Sequence, residues 1–95
     1  MAGEKPVGPL EGIGSLTNKN MQIIKGILIS GKIIIDNEFW DINLQRADFI
    51  NISFDSQNEE YIARIFFSTQ IVCVVFDKNL KPVAVELLNK FPYHE

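Results

Sequence analysis

The chain has 95 residues, 46% of them hydrophobic and 22% charged, with a formal net charge of −3. That composition fits one ordinary globular domain and excludes the disordered and fibrous classes. The acidic balance argues against nucleic acid, whose phosphates call for a basic face. A single cysteine makes neither an intramolecular disulfide nor a thiolate metal cluster, and it sits most easily in a reducing cytoplasm.

A chain this short buries only about 60–65% of its unfolded surface, so self-association would add stability. Residues 1–14, MAGEKPVGPLEGIG, lack the basic and apolar regions of a secretory signal. The most apolar region, Ile62 to Phe76, is broken by Arg64, Ser68, Thr69 and Gln70. It also falls short of the roughly 20 residues a membrane span requires.

Residues 1–20 read as a flexible tail, because Gly3, Pro6, Gly8, Pro9, Gly12 and Gly14 interrupt helix and no period-2 alternation replaces it. The Gly12–Gly14 pair is a poor phosphate loop. A dinucleotide fingerprint needs a preceding strand and a third glycine, where Thr17 stands here. One domain is expected over 21–95.

From Gln22 onward isoleucine, valine and phenylalanine dominate, and these residues fit a pleated surface better than a helix. Ile23–Ile29 and Lys32–Ile35 flank Ser30 and Gly31, the pattern of a first hairpin with glycine at a positive-φ turn position. Three consecutive isoleucines, Ile33 to Ile35, put apolar side chains on both faces of that strand, so a second layer or a partner subunit would cover one of them.

Asp36, Asn37 and Glu38 make the next turn. FWDINL then places Trp40, Ile42 and Leu44 on one face, and FINISF does the same with Ile50, Ile52 and Phe54. These two segments are expected to pair with matching core faces. Residues 57–67 fit two descriptions. Ser56 and Glu59 form a capping-box signature for a short helix, while Tyr61, Ala63, Ile65 and Phe67 alternate as a strand, which is slightly favoured. The fold class is therefore mainly β, an antiparallel sheet of hairpins, with a two-layer α+β arrangement as the alternative.

The clearest hairpin joins IVCVVF to PVAVELL. A register setting Phe76 opposite Val83, Val74 opposite Val85 and Val72 opposite Leu87 gathers six apolar side chains on one face. Asp77 can cap the turn, Asn79 tolerates the left-handed region, and Pro82, lacking a donor, suits the first strand position. The same register puts Cys73 opposite Glu86. A carboxylate favours the neutral thiol, so Cys73 reads as a structural residue rather than a nucleophile. If the face bearing Glu86 is open, the carboxylate is merely solvated, the favoured reading; if it is covered, the carboxylate needs Arg46, Arg64 or a lysine as partner.

No catalytic set, metal cluster or cofactor site emerges. His94, the sole histidine, sits one residue from the C-terminus, where chains usually fray. Asp36, Glu38 and Asp41 lack the spacing of a calcium loop. Phe39, Phe49 and Phe67 are candidates for an oligomer interface, the alternative being that they pack beneath the tail or the 57–67 segment.

ADFINISF, followed by IVCVVFDKNLKPVAVELLN, resembles a family of small bacterial and archaeal proteins of unknown function. Its members show A-D-x-L-Y-I-x-L and then an I-V-D-x-D-x-x-G-x-I-V-G-I-E-I-L hairpin. On that resemblance Asp48 matches the early aspartate, Asp77 the turn aspartate and Glu86 the glutamate of the final strand. Leu80 or Lys81 stands for the turn glycine, Ala84 for a later glycine and Cys73 for a frequent acidic residue. The resemblance covers Ala47 to Asn89 and implies a compact β-rich domain, no established catalysis and an antitoxin-type role.

The leading expectation is thus a non-enzymatic domain that binds a protein partner or itself as a homo-oligomer. The alternative is a small enzyme or ligand-binding domain using Glu86 with Asp48 or Arg64. Nucleic-acid binding ranks third and would fall to Lys19, Lys25 and Lys32.

Overall fold

The computed structural model describes residues 9–89, with side chains from Leu16 onward. It is an antiparallel β-rich fold in which one long helix packs on a sheet. The helix α1 spans Pro9–Ser30. A two-stranded ribbon follows, formed by β1 (Ile33–Ile35) and β2 (Glu38–Trp40). A single 3-10 turn at Leu44–Arg46 leads into the main sheet. That sheet has the order β3-β4-β5-β6 and is formed by β3 (Phe49–Asp55), β4 (Glu60–Phe66), β5 (Gln70–Phe76) and β6 (Pro82–Asn89).

The helix replaces the expected hairpin over 23–35 and also takes in residues 9–20, which had read as tail; residues 1–8 lie outside the described residues. Its cause is a 3.6-residue period beneath the β-branched composition. Ile24 and Leu28 are fully buried, with Met21 and Ile27 packed beside them, so one stripe faces the sheet. Burying two such side chains contributes about 1.5–3 kcal/mol each, which offsets the helix penalty of a few tenths per isoleucine and about 1 kcal/mol per glycine. Gly31 does take a positive φ, 73°. It ends the helix rather than turning a hairpin, donating its N–H to the Leu28 carbonyl at 3.0 Å.

β1 and β2 are joined by Asp36 and Asn37, both at positive φ, the requirement of a two-residue turn matched to strand twist. The ribbon pairs Ile33 with Trp40 and Ile35 with Glu38. FWDINL therefore does not pair with FINISF as expected. The Asn43 side chain accepts the Gln45 N–H at 3.1 Å and starts the 3-10 turn, which diverts the chain before β3. FINISF pairs instead with β4, Ile50 opposite Ile65 and Ile52 opposite Ala63. Residues 60–66 are strand, and Ser56 to Glu59 form a connection in which the Asp55 carboxylate, not Ser56, accepts the Gln57 and Asn58 N–H groups.

The β5–β6 register holds at Val72/Leu87, Cys73/Glu86 and Val74/Val85. It shifts beyond Val75, so Phe76 meets Pro82 rather than Val83. Asp77 accepts N–H groups from Asn79 and Lys81 at 2.9 and 3.0 Å, but Leu80, not Asn79, adopts the left-handed conformation, with φ 66°. The Leu80 side chain packs against the core, which accounts for a bulky residue holding that position.

One face of the sheet forms the core. Cross-strand rows Ile50–Ile65–Val72 and Ile52–Ala63–Val74–Val85 meet Ile24 and Leu28 of α1, and Ile33 and Ile42 join the same cluster. Asn20 on α1 donates a 2.8 Å hydrogen bond to the Tyr61 hydroxyl, tying helix to sheet.

Candidate functional site: the open face of the sheet

Alternation in the four strands sends every second side chain away from α1. The registers arrange these in three rows. The first is apolar: Phe49, Phe66, Ile71 and Leu88. The second is polar: Asn51, Arg64, Cys73 and Glu86. The third is Ser53, Ile62, Val75 and Ala84. None of these twelve belongs to the core cluster, so among the described residues no second layer packs on them.

Phe49 and Phe66 stack with ring centroids 4.3 Å apart and planes 12° from parallel. Phe49 nevertheless stays 57% exposed and Leu88 40%. The apolar row and the mostly apolar third row lie on either side of the polar one, and exposed apolar side chains grouped on one face mark a candidate interaction surface.

Arg64 on β4 and Glu86 on β6 lie on either side of Cys73 on β5. Two strand spacings, about 10 Å at the backbone, separate them. Arg64 donates from Nη1 to the Ser53 hydroxyl at 3.1 Å, and no ion pair joins it to Glu86 among the described residues. Cys73 is buried and free. Burial pushes its thiol above the ordinary range, the Arg64 charge pulls it partway back, and Glu86 pushes it up again. A thiol held neutral in this way is a packing group.

The other residues named from sequence fall apart. Asp48 precedes β3, on the opposite edge of the sheet from Glu86, and its N–H bonds the Phe66 carbonyl at 2.7 Å. Phe39 is 58% exposed on the ribbon rather than on the main sheet. Phe67 packs against the core. Only Arg64, Glu86 and Phe49 share the open face. Lys19 and Lys25, six residues apart on α1, project in directions about 120° apart, so they form no basic stripe.

Sequence reasoning had Cys73 opposite Glu86 on this face and missed Phe66, Ile71 and Ile62. The unbroken run IVCVVF carried the signal, since a strand apolar at successive positions presents apolar side chains on both faces.

Nothing on the face converges as acid–base machinery would. Among the described residues there is no group of three or more His, Cys, Asp or Glu placed to hold a metal. His94 and the Gly12 and Gly14 side of the phosphate-loop question differ in outcome: His94 lies outside the described residues, whereas both glycines lie within α1. A shallow groove between α1 and β3 is apolar apart from Gln22 and Lys25, without the convergent polar groups of a small-molecule site. No described helix is long and apolar enough to cross a membrane. Comparison of the chain with family models, curated proteins and solved structures finds no match.

Proposed function

We propose that this chain is a non-enzymatic protein-interaction domain that docks through the open face of its four-stranded sheet. One observation carries the reading: Phe49–Phe66–Ile71–Leu88 and Ile62–Val75–Ala84 form apolar rows on a face that no described element covers. The resemblance of Ala47 to Asn89 to a family of unknown function adds an antitoxin-type role, in which the docked protein is toxin-like. A cytoplasmic location accords with the free thiol of Cys73.

The reading of Glu86 with Asp48 or Arg64 as an enzyme or ligand site has less support, since Asp48 stands on the far edge and Cys73 separates the other two.

The test places a photo-crosslinking amino acid at Ile71, and at Lys25 as a control on the helix, in the cells that make the protein. Adducts at Ile71 with none at Lys25 are expected. No adduct at Ile71, or equal labelling of both positions, overturns the proposal.

A further inference from the structure

The polar row is charged symmetrically about β5. Arg64 lies one strand to one side of Cys73, and Glu86 lies one strand to the other. An isologous interface requires this kind of self-complementarity, because each patch must match its own rotated copy. Resting on the interaction reading, we propose that the occupant of the open face is a second copy of this chain. The two copies are related by a twofold axis that lies between the sheets and runs parallel to β5.

Rotation about that axis exchanges β4 with the partner's β6 and leaves β5 facing β5. Arg64 then meets Glu86 of the partner subunit, and Glu86 meets the partner's Arg64. The apolar rows also stay in register with themselves. Phe66 meets Leu88 of the partner subunit and Ile71 meets the partner's Ile71. In the third row Ile62 meets the small side chain of the partner's Ala84, and Val75 meets the partner's Val75. Sheets stacked in this way pack about 10 Å apart, with the two β5 strands running parallel.

The competing twofold axis, perpendicular to the strands, sets Arg64 on Arg64 and Glu86 on Glu86, so like charges exclude it. β4, β5 and β6 overlap in this arrangement while β3 lies outside it, so each copy contributes a face of roughly 14 by 23 Å, below the size of standard specific interfaces. Association is accordingly expected to be reversible and to depend on concentration.

Light scattering and sedimentation equilibrium on the purified full-length protein test this with Arg64→Glu, Glu86→Arg and the double variant. The wild type is expected to dimerise with increasing concentration. Each single reversal sets like charges face to face and should weaken the dimer about tenfold or more. The double variant should dimerise again. Mixing the two single variants should yield a heterodimer, because one then carries two glutamates and the other two arginines at the paired positions. That mixing result also shows that both variants are folded.

A wild type that stays monomeric at high concentration overturns the second-copy inference. So does a dimer indifferent to both reversals, or single variants that fail to complement each other. The crosslink at Ile71 separates the two levels. An adduct of twice the chain mass supports self-association, and one of any other mass keeps the docking face while refuting the second copy. No adduct removes both.

Discussion

Cys73 and Glu86 face each other across β5 and β6, and the carboxylate helps hold the thiol neutral. Burial raises the thiol's pKa most, Arg64 opposes the rise and Glu86 reinforces it. A thiol raised in the folded state binds its proton more tightly there than in the unfolded chain. Its contribution to stability is complete below the unfolded value of about 8.5 and is lost as pH rises through the folded one. Substituting Glu86→Gln removes a charge that favours the proton, so alkylation of Cys73 should reach its half-maximal rate at lower pH than in the wild type. The rate of iodoacetamide labelling against pH reads this directly. A midpoint that stays put or moves upward would mean that the carboxylate does not reach the sulfur.

Gly26 lies on the exposed side of α1, and a Cβ built there meets no atom within 4 Å. Gly26→Ala therefore adds no clash while removing the backbone entropy that glycine loses on folding. It should stabilise the protein by about 0.5–1 kcal/mol. Chemical denaturation should show a higher midpoint with an unchanged slope. A lower midpoint would mean that the outer side of α1 is occupied in solution.

Legibility in the sequence differed sharply between the two halves of the chain. In β5 and β6 the apolar alternation, the capping Asp77 and the donorless Pro82 all demand one register, and the structure has it from Val72 to Val75. In α1 two signals conflicted. Isoleucines at 23, 24, 27 and 29 favour extended chain locally, while the 21, 24, 28 period favours a helix only once a sheet exists for Ile24 and Leu28 to bury against. Tertiary packing outweighed local propensity. The expected pairing of FINISF with FWDINL was wrong for a related reason: its inward face matches Trp40, Ile42 and Leu44 as well as it matches Ile65 and Ala63. The Asn43-capped turn removed the first option. Of the candidate site, Glu86, Arg64 and Phe49 could be named from sequence, but their common face could not, because it depends on which strands are neighbours.

Tyr61 links the sheet to α1 through the Asn20 amide, which donates to its hydroxyl at 2.8 Å in a partly buried setting. Its ring packs at 4.8 Å from Phe54 and is almost fully buried. Tyr61→Phe keeps the ring and leaves the amide without that acceptor, at an expected cost of about 0.5–1.5 kcal/mol. Tyr61→Ala also removes the ring and should cost about 3–5 kcal/mol, by analogy with truncation of a buried aromatic residue. Amide hydrogen exchange locates the first effect: faster exchange in the second half of α1, with little change in β5, is the expected pattern. Uniform acceleration would mean that the bond stabilises the whole fold rather than the docking of the helix.

The β3–β4 connection supplies an acid-sensitive element. Asp55 accepts N–H groups from Gln57 at 3.0 Å and Asn58 at 3.4 Å, and the Asn58 side-chain amide at 2.9 Å. These bonds favour the carboxylate, the Asn58 side chain most, and lower its pKa against the opposing effect of burial. The folded state thus binds the Asp55 proton more weakly than the unfolded chain does. The associated stability is present above the unfolded value of about 3.9 and disappears as pH falls through the lowered folded one. Asp55→Ala should reduce the melting temperature at neutral pH, and the gap between variant and wild type should close as the solution is acidified below that range. Thermal denaturation of both proteins across the acid limb measures it. A gap of constant size at every pH would assign the loss to the altered turn backbone and remove the carboxylate from the account.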